Sequence, residues 1–241
     1  MKRWLMLVMV LASLPGGILA QTTGKTETKG REAEVSVRAE EAIRKLVEGN
    51  RRSTRHHRVH PHESVQRRVK LAREGQRPLA MILSCSDSRV PPEIVFDEGL
   101  GDLFVIRNAG HIVDDAVLGS IEYAAEHLGV KLLVVLGHEQ CGAVRAAIEN
   151  HCSAHLRNVI DLIRPTVEAV EASQPADLPL AQLADLVLRE YLARSVRELE
   201  ANPPVIEKLV AARELQIVAG IYQIATGRVE FLPRPRVLVD R

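Results

Sequence analysis

The sequence predicts an α/β fold: a central, mainly parallel β-sheet of about four strands plus an edge strand, flanked by helices, with an N-terminal helical arm. Three observations predict it. Short apolar runs of strand length alternate with segments of helical period. Two of these runs, 131–137 (KLLVVLG) and 215–221 (LQIVAGI), are apolar almost throughout, as strands covered on both faces are. The composition also supplies a core, with 46% hydrophobic against 26% charged residues, and the 3% of aromatics makes that core aliphatic.

Residues 1–20 have the layout of a secretory leader. Lys2 and Arg3 precede a short apolar stretch, and Ala20 ends a small-residue segment. The stretch is too short for an ordinary membrane span. Cleavage after Ala20 takes the net charge from +1 to −1, since two bases and no acid are lost. The expected mature chain is exported, periplasmic or secreted, with no membrane contact. Residues 21–34 are polar and rich in Thr and Gly, and read as a flexible linker. Residues 35–241 then form a single domain.

Val35, Val37, Ala42, Ile43, Leu46 and Val47 mark a first helix over 35–50, closed by EGN. A basic stretch with His56, His57, His60 and His62 follows, which reads as a solvated loop rather than a metal site. A helix over 63–74 ends at Gly75. Strands are predicted at 79–84 and 103–107, then a helix over 114–128 with Val117, Ile121, Ala124 and Leu128 on one face. After the strand at 131–137, a helix begins near Cys141. Two longer helices fill 155–172 and 178–200, a shorter one 203–213, and the edge strand is 228–232. The near-neutral charge, with both signs interspersed, carries no nucleic-acid footprint.

In parallel sheets, chemistry gathers at the carboxyl ends of strands. Cys85 follows one such end and His138 another. His138 and Cys141 stand three residues apart at a strand-to-helix turn, so both can converge on one ion. Two thiolates and an imidazole suit zinc, and three protein ligands leave a coordination position open, as in catalytic sites. Cys152 lies eleven residues after Cys141. At about 1.5 Å per helical residue this is too far for a ligand, and Cys152 reads as a free thiol. In an oxidising compartment a Cys85–Cys141 disulfide is the competing reading. Asp87 and Arg89 would form a pair that orients a bound water. Asp87 could instead ligate the metal and close the site, or the pair could be an ordinary salt bridge or helix cap.

CSDSR (85–89) followed by HEQCG (138–142) resembles the β-class carbonic anhydrases. So do GDLFVIRNAG (101–110), GSIEYAAEHLGV (119–130) and LQIVAGIYQIATGRVEFL (215–232), and the resemblance runs from about residue 36 to 232. It implies a zinc-dependent lyase, one Zn2+ per chain, in which zinc-bound hydroxide attacks CO2 to give bicarbonate. Cys85, His138 and Cys141 match the zinc ligands, and Asp87 and Arg89 the catalytic dyad. Gln76, Phe104, Ala109, Tyr123 and Gly142 match substrate-pocket positions. A homodimer or homotetramer is implied, with the pocket at the subunit interface. Three departures are notable. His111 stands where asparagine is expected and reads as a packing residue. Glu139 and Gln140 replace small residues. Ile82 stands where one subset of the family has a tryptophan in an inhibitory bicarbonate site; the only tryptophan here is Trp4. The alternatives are hydrolysis of CS2 or COS at the same zinc site, and a non-catalytic zinc or thiol protein.

Overall fold

The computed structural model describes residues 24–151, 153–202 and 204–233. Residues 1–20, read above as a leader and including Trp4, and Cys152 lie outside them. Strands β1 (Ala80–Cys85), β2 (Leu103–Asn108), β3 (Leu132–His138), β4 (Gln216–Tyr222) and β5 (Val229–Phe231) form one sheet in the order β2-β1-β3-β4-β5. The first four are parallel and β5 pairs antiparallel with β4 at the edge.

The side-chain alternation of a strand explains why β1 and β3 read as continuous apolar runs. Met81, Leu83, Cys85, Leu133 and Val135 enter one core, and Ile82, Leu132, Val134 and Leu136 enter the other. Helices α4 (Asp115–Glu126), α5 (Gly142–Ile148), α6 (Leu156–Glu171) and α7 (Leu180–Glu200) supply the first core, with Ile206 of α8 (Val205–Ala211). The second is thinner and is closed by α1 (Gly24–Thr54) and α3 (Pro92–Val95), through Leu46, Val95 and Phe96. Both β1 and β3 are buried along their whole length, so both central strands are rigid platforms for the residues at their ends.

Helix α1 begins at Gly24, so residues 24–34, read from the sequence as linker, are helical. The Lys, Glu, Arg and Ala among them are good helix formers, and the absence of an apolar stripe concealed this. At its other end α1 is clamped by the EGN segment. A Cβ on Gly49 would fall 1.7 Å from the Phe96 carbonyl oxygen, so only glycine permits the approach to α3. Asn50 donates through Nδ2 to the carbonyls of Val95 (3.0 Å) and Gly227 (2.8 Å), and its Oδ1 accepts from the Val229 amide (2.9 Å). One amide side chain thus ties helix α1 to both α3 and β5.

The histidine-rich loop is exposed at His56, His57 and His60, yet it does not float free. His62 Nδ1 pairs with Asp102 (2.6 Å), which also accepts from Arg67 (3.1 Å) and the Gly99 amide (2.9 Å). Asp97, in the left-handed region at φ +49°, accepts from Arg52 (2.6 Å) and from the amides of Val59 and His60 (both 3.1 Å). Two buried carboxylates therefore fasten the loop and α2 (Val65–Glu74) to the turn before β2. The acids lie some forty residues further along the chain, which hid them from a local reading.

Between these two acids, Glu98 is half-buried. Burial first, then the Asp102 charge, pushes its carboxyl up from 4.5 to about 7. The folded chain therefore holds this proton more tightly than the unfolded chain. Its stability contribution is present below the unfolded value and is lost as pH rises through about 7. Urea midpoints between pH 5 and 8 should fall less steeply in Glu98→Gln than in the parent. Parallel curves for the two proteins would show that Glu98 carries no such linkage.

Candidate metal centre and active site

The parallel register brings the chemistry to one end of the sheet. Ser84 pairs with Leu136 across β1 and β3, so the next residues, Cys85 and Gly137, are level, and His138 closes β3. Two residues of turn follow, with Gln140 at φ +55°, and Cys141 occupies the N-cap of α5. Cys85, His138 and Cys141 are all buried, and one ligand atom of each lies within 4.8 Å of the others. This is the one group of three or more metal-ligating side chains found among the described residues.

The donor atoms are set for a cation. The Cys85 and Cys141 sulfurs are 4.0 Å apart and both thiols are free, so the structure holds no disulfide between them. Their shared hydrogen bond lowers the Cys85 pKa and raises that of Cys141. The pair therefore holds one proton tightly while it remains without a positive partner. His138 Nδ1 bonds the Glu139 carbonyl at 2.8 Å, which places the proton on Nδ1 and leaves the Nε2 lone pair for a metal. Nε2 is buried with no hydrogen-bond partner. An orphaned imidazole nitrogen beside two sulfurs is costly unless a soft cation completes it. The residues fit a zinc-type ion.

Asp87 stands beside this group, its Oδ2 3.9 Å from His138 Nε2. Arg89 grips the carboxylate with Nε (2.9 Å) and Nη2 (2.7 Å), and its amide adds a third bond (2.9 Å). These Arg89 hydrogen bonds hold the Asp87 carboxyl well below the usual range. Asp87 is therefore an anionic acceptor with fixed aim. Arg107 of β2 braces the same turn by donating to the carbonyls of Cys85 (3.0 Å) and Asp87 (2.7 Å). A short 3-10 turn at Ala109–His111 follows β2, and its Gly110 amide points at the Cys85 sulfur, 3.4 Å away.

The sequence-predicted residues divide into two groups. Cys85, Asp87, Arg89, Ala109, His138, Cys141 and Gly142 all lie at the carboxyl end of the sheet. Gln76, Phe104 and Tyr123 do not join them within one chain. Phe104 pairs with Met81, four residues before Cys85, or about 13 Å along the strand. Gln76 precedes β1 altogether and shares a surface cavity with His127. Tyr123 is exposed on α4, its ring 6.2 Å from Phe104 and 5.3 Å from His127. These three form their own group around the amino end of the sheet. Local reading missed Arg107 and Gly110 as site residues. Both lie inside the quoted VIRNAG segment, and only the β1–β2 pairing shows that this segment runs beside Cys85.

A cavity of about 910 Å³ opens beside His138 and Cys141, walled by Gly142 and by Leu180, Ala184 and Leu188 of α7. Glu139 and Gln140 also line it, so the two departures from small residues stand at the cavity next to His138 and Cys141.

Known proteins with this arrangement identify the family. The carbonic anhydrase family model matches residues 80–229. A carbonic anhydrase of Mycolicibacterium smegmatis is 39% identical over 194 residues, covering 78% of this chain and 91% of the relative. Carbonic anhydrase 2 of Mycobacterium tuberculosis is 41% identical over 192 residues, covering 78% and 89%. Among solved structures, a tetrameric β-carbonic anhydrase of Sordaria macrospora aligns with a TM-score of 0.64 at 28% identity, covering 68% of this chain and 84% of that one. The chain belongs to the β-class carbonic anhydrases, and its reaction is the hydration of CO2 to bicarbonate.

Gly110 carries a sharp test of this geometry. Its φ is +72°, and a Cβ there would lie 2.9 Å from the Ala143 Cβ and 3.0 Å from Ile163 Cδ1. Gly110→Ala should displace the amide from the Cys85 sulfur and lower the melting temperature, by about 1–3 kcal/mol of stability. Metal affinity, read by competition with a chromophoric chelator, should fall with it. Unchanged affinity would detach the amide from the site.

Proposed function

We propose that Cys85, His138 and Cys141 hold one Zn2+ per chain and that Asp87, held by Arg89, is the acceptor that orients the attacking water for CO2 hydration. The observation that carries this is the orphaned Nε2 of His138, within ligand reach of two sulfurs and beside an aimed carboxylate. Bound there, zinc supplies the Lewis acidity that makes hydroxide available near neutral pH.

The chain's own contribution is orientation. Asp87 accepts a hydrogen bond at one fixed position, since Arg89 occupies both of its oxygens from the other side. This grip supports an open site; Asp87 as a fourth ligand would have to surrender Arg89. The Arg107 bonds to the Cys85 and Asp87 carbonyls keep thiolate and acceptor in register. CO2 offers little to recognise, so the remaining need is a dry apolar wall and one donor.

Gln76, Phe104 and Tyr123 are the candidates for that wall and donor, and they reach a site only in a second copy of the chain. A homodimer, or a homotetramer built from such dimers, meets this need, with each site using the carboxyl end of one sheet and the amino end of another. Ala109 and Gly142, at the carboxyl end, border the pocket from the same chain as the ligands. The leader-like residues 1–20 support export to the periplasm or beyond. No described helix is long and apolar enough to cross a membrane.

Stopped-flow CO2 hydration, with zinc quantified in the same sample, tests the assignment. The expected outcome is about one zinc per chain and a kcat/KM reduced about 100-fold or more in Asp87→Asn, with zinc retained. Stoichiometric zinc with full activity in Asp87→Asn would remove the dyad from the mechanism. The shared pocket has its own test. Asp87→Asn and Gln76→Ala homo-oligomers, each impaired, are dissociated, mixed and reassembled. Random pairing should restore about a quarter of the parent activity, because half the dimers are mixed and each mixed dimer regains one intact site. No recovery in reassembled mixtures would place Gln76 outside its neighbour's site.

A further inference from the structure

His111 is a polar side chain at the site to which the reading above gives no task. It is fully buried, and neither Nδ1 nor Nε2 has a hydrogen-bond partner among the described residues. Its φ is +43°, directly after Gly110 at +72°, so two successive left-handed residues shape the turn that aims the Gly110 amide at the Cys85 sulfur. Its ring rests against Tyr191 of α7, with centroids 5.1 Å apart and planes at 44°. The 3-10 turn touches β1, β3 and α5, the three elements that end or begin in the metal ligands.

A packing role alone explains this poorly. A buried ring with no polar needs would be a phenylalanine, which leaves no nitrogen unpaired. Left-handed backbone is open to histidine, as it is at His56, His60 and His62, so the conformation itself is no anomaly. The anomaly at His111 is the pair of buried, unpartnered nitrogens, and such departures gather where function requires them. Burial pushes its pKa down to about 4, so the ring is neutral near pH 7 and carries one N–H donor and one acceptor.

We propose that His111 is a positioning residue for the metal centre: its polar ring, beside the Gly110 amide, forms the wall that holds the Cys85 sulfur in place for the cation. The proposal rests on the metal reading of Cys85, His138 and Cys141. The Gly110 amide acts on Cys85 directly; the ring acts through the turn it anchors and through the polarity it brings to the buried side of the site.

Two substitutions separate polarity from packing, because they remove opposite properties. His111→Phe keeps a ring against Tyr191 and removes both nitrogens. His111→Asn removes the ring, keeps a donor and an acceptor, and tolerates the left-handed backbone. The probes are zinc affinity by chelator competition and the sulfur-to-metal charge-transfer band of the cobalt-substituted protein. The expected result is a zinc affinity at least ten-fold weaker and a shifted cobalt band in His111→Phe, with both returned toward the parent in His111→Asn. The reverse pattern, Phe like the parent and Asn impaired, would overturn the proposal and leave a packing residue. Should either variant fail to fold, histidine 15N shifts of the unaltered protein, with and without zinc, decide: His111 nitrogens that do not respond to metal overturn it. A parent protein that binds neither zinc nor cobalt would instead overturn the metal reading itself.

Discussion

Two sulfur atoms 4.0 Å apart inside a protein cannot both be anions without a cation between or beside them. Two unit charges at that distance repel by about 4 kcal/mol even at an effective dielectric of about 20. The opposed displacements of Cys85 and Cys141 come first from the hydrogen bond they share: one thiol gives up its proton because the other keeps one and donates it. Everything else at the carboxyl end of the sheet answers to the same constraint. The Gly110 amide brings partial positive charge to Cys85. The helix N-terminus at Cys141 brings the same to the second sulfur, and His138 turns an unprotonated nitrogen toward the pair. The amide and the helix N-terminus stabilise negative charge without neutralising it, while the His138 lone pair adds a third electron donor, a set that a dication would complete.

The sheet makes that convergence rigid. Cys85 and His138 end adjacent, fully buried parallel strands, so their separation is set by ladder register rather than by loop conformation. Asp87 is two residues beyond this platform and would wander, but Arg89 and Arg107 hold its side chain and its carbonyl separately. Rigid strand ends thus carry Cys85 and His138, and a braced turn carries the Asp87 carboxylate. The same sheet has a second consequence. A residue at its amino end cannot reach its own carboxyl end, so any pocket that needs both ends needs two chains.

Most of the fold was legible because its signals are local. The runs 79–84, 131–137 and 215–221 lie within one residue of β1, β3 and β4, since strands buried on both faces are apolar almost throughout. The helix over 114–128 was legible from its stripe and is capped as its sequence requires, with Asp114 accepting from the Val117 amide at 2.9 Å. The clustering of Cys85, His138 and Cys141 was legible from residue type and spacing. What escaped depended on contacts distant in sequence. Asp102 and His62 are forty residues apart, and Gly110 and Cys85 twenty-five. Helix α1 was misjudged over 24–34 for another reason: a helix without an apolar stripe has propensity but no periodicity. The division of the candidate pocket residues into two groups was legible in part, since Gln76 precedes the strand at 79–84 and Phe104 stands near the start of that at 103–107, whereas Cys85 and His138 follow theirs; the place of Tyr123 beside Phe104 needed the packing of α4 on β2.

Left-handed backbone turns the chain on both sides of the cluster. Gly110, His111 and Gln140 all have positive φ, and all three flank the cluster of Cys85, His138 and Cys141. Gln140 takes that conformation between His138 and Cys141, where the turn must reverse the strand and deliver a sulfur within three residues. A normal β-to-α connection would separate those two side chains; the left-handed residue shortens it. Arg89 reaches the Gln140 carbonyl at 3.4 Å, so the strained turn is also linked to the Asp87 pair. The two sides of the site use one device. Each side bends the backbone to place a group against sulfur, and the buried strands supply the stability that sustains it.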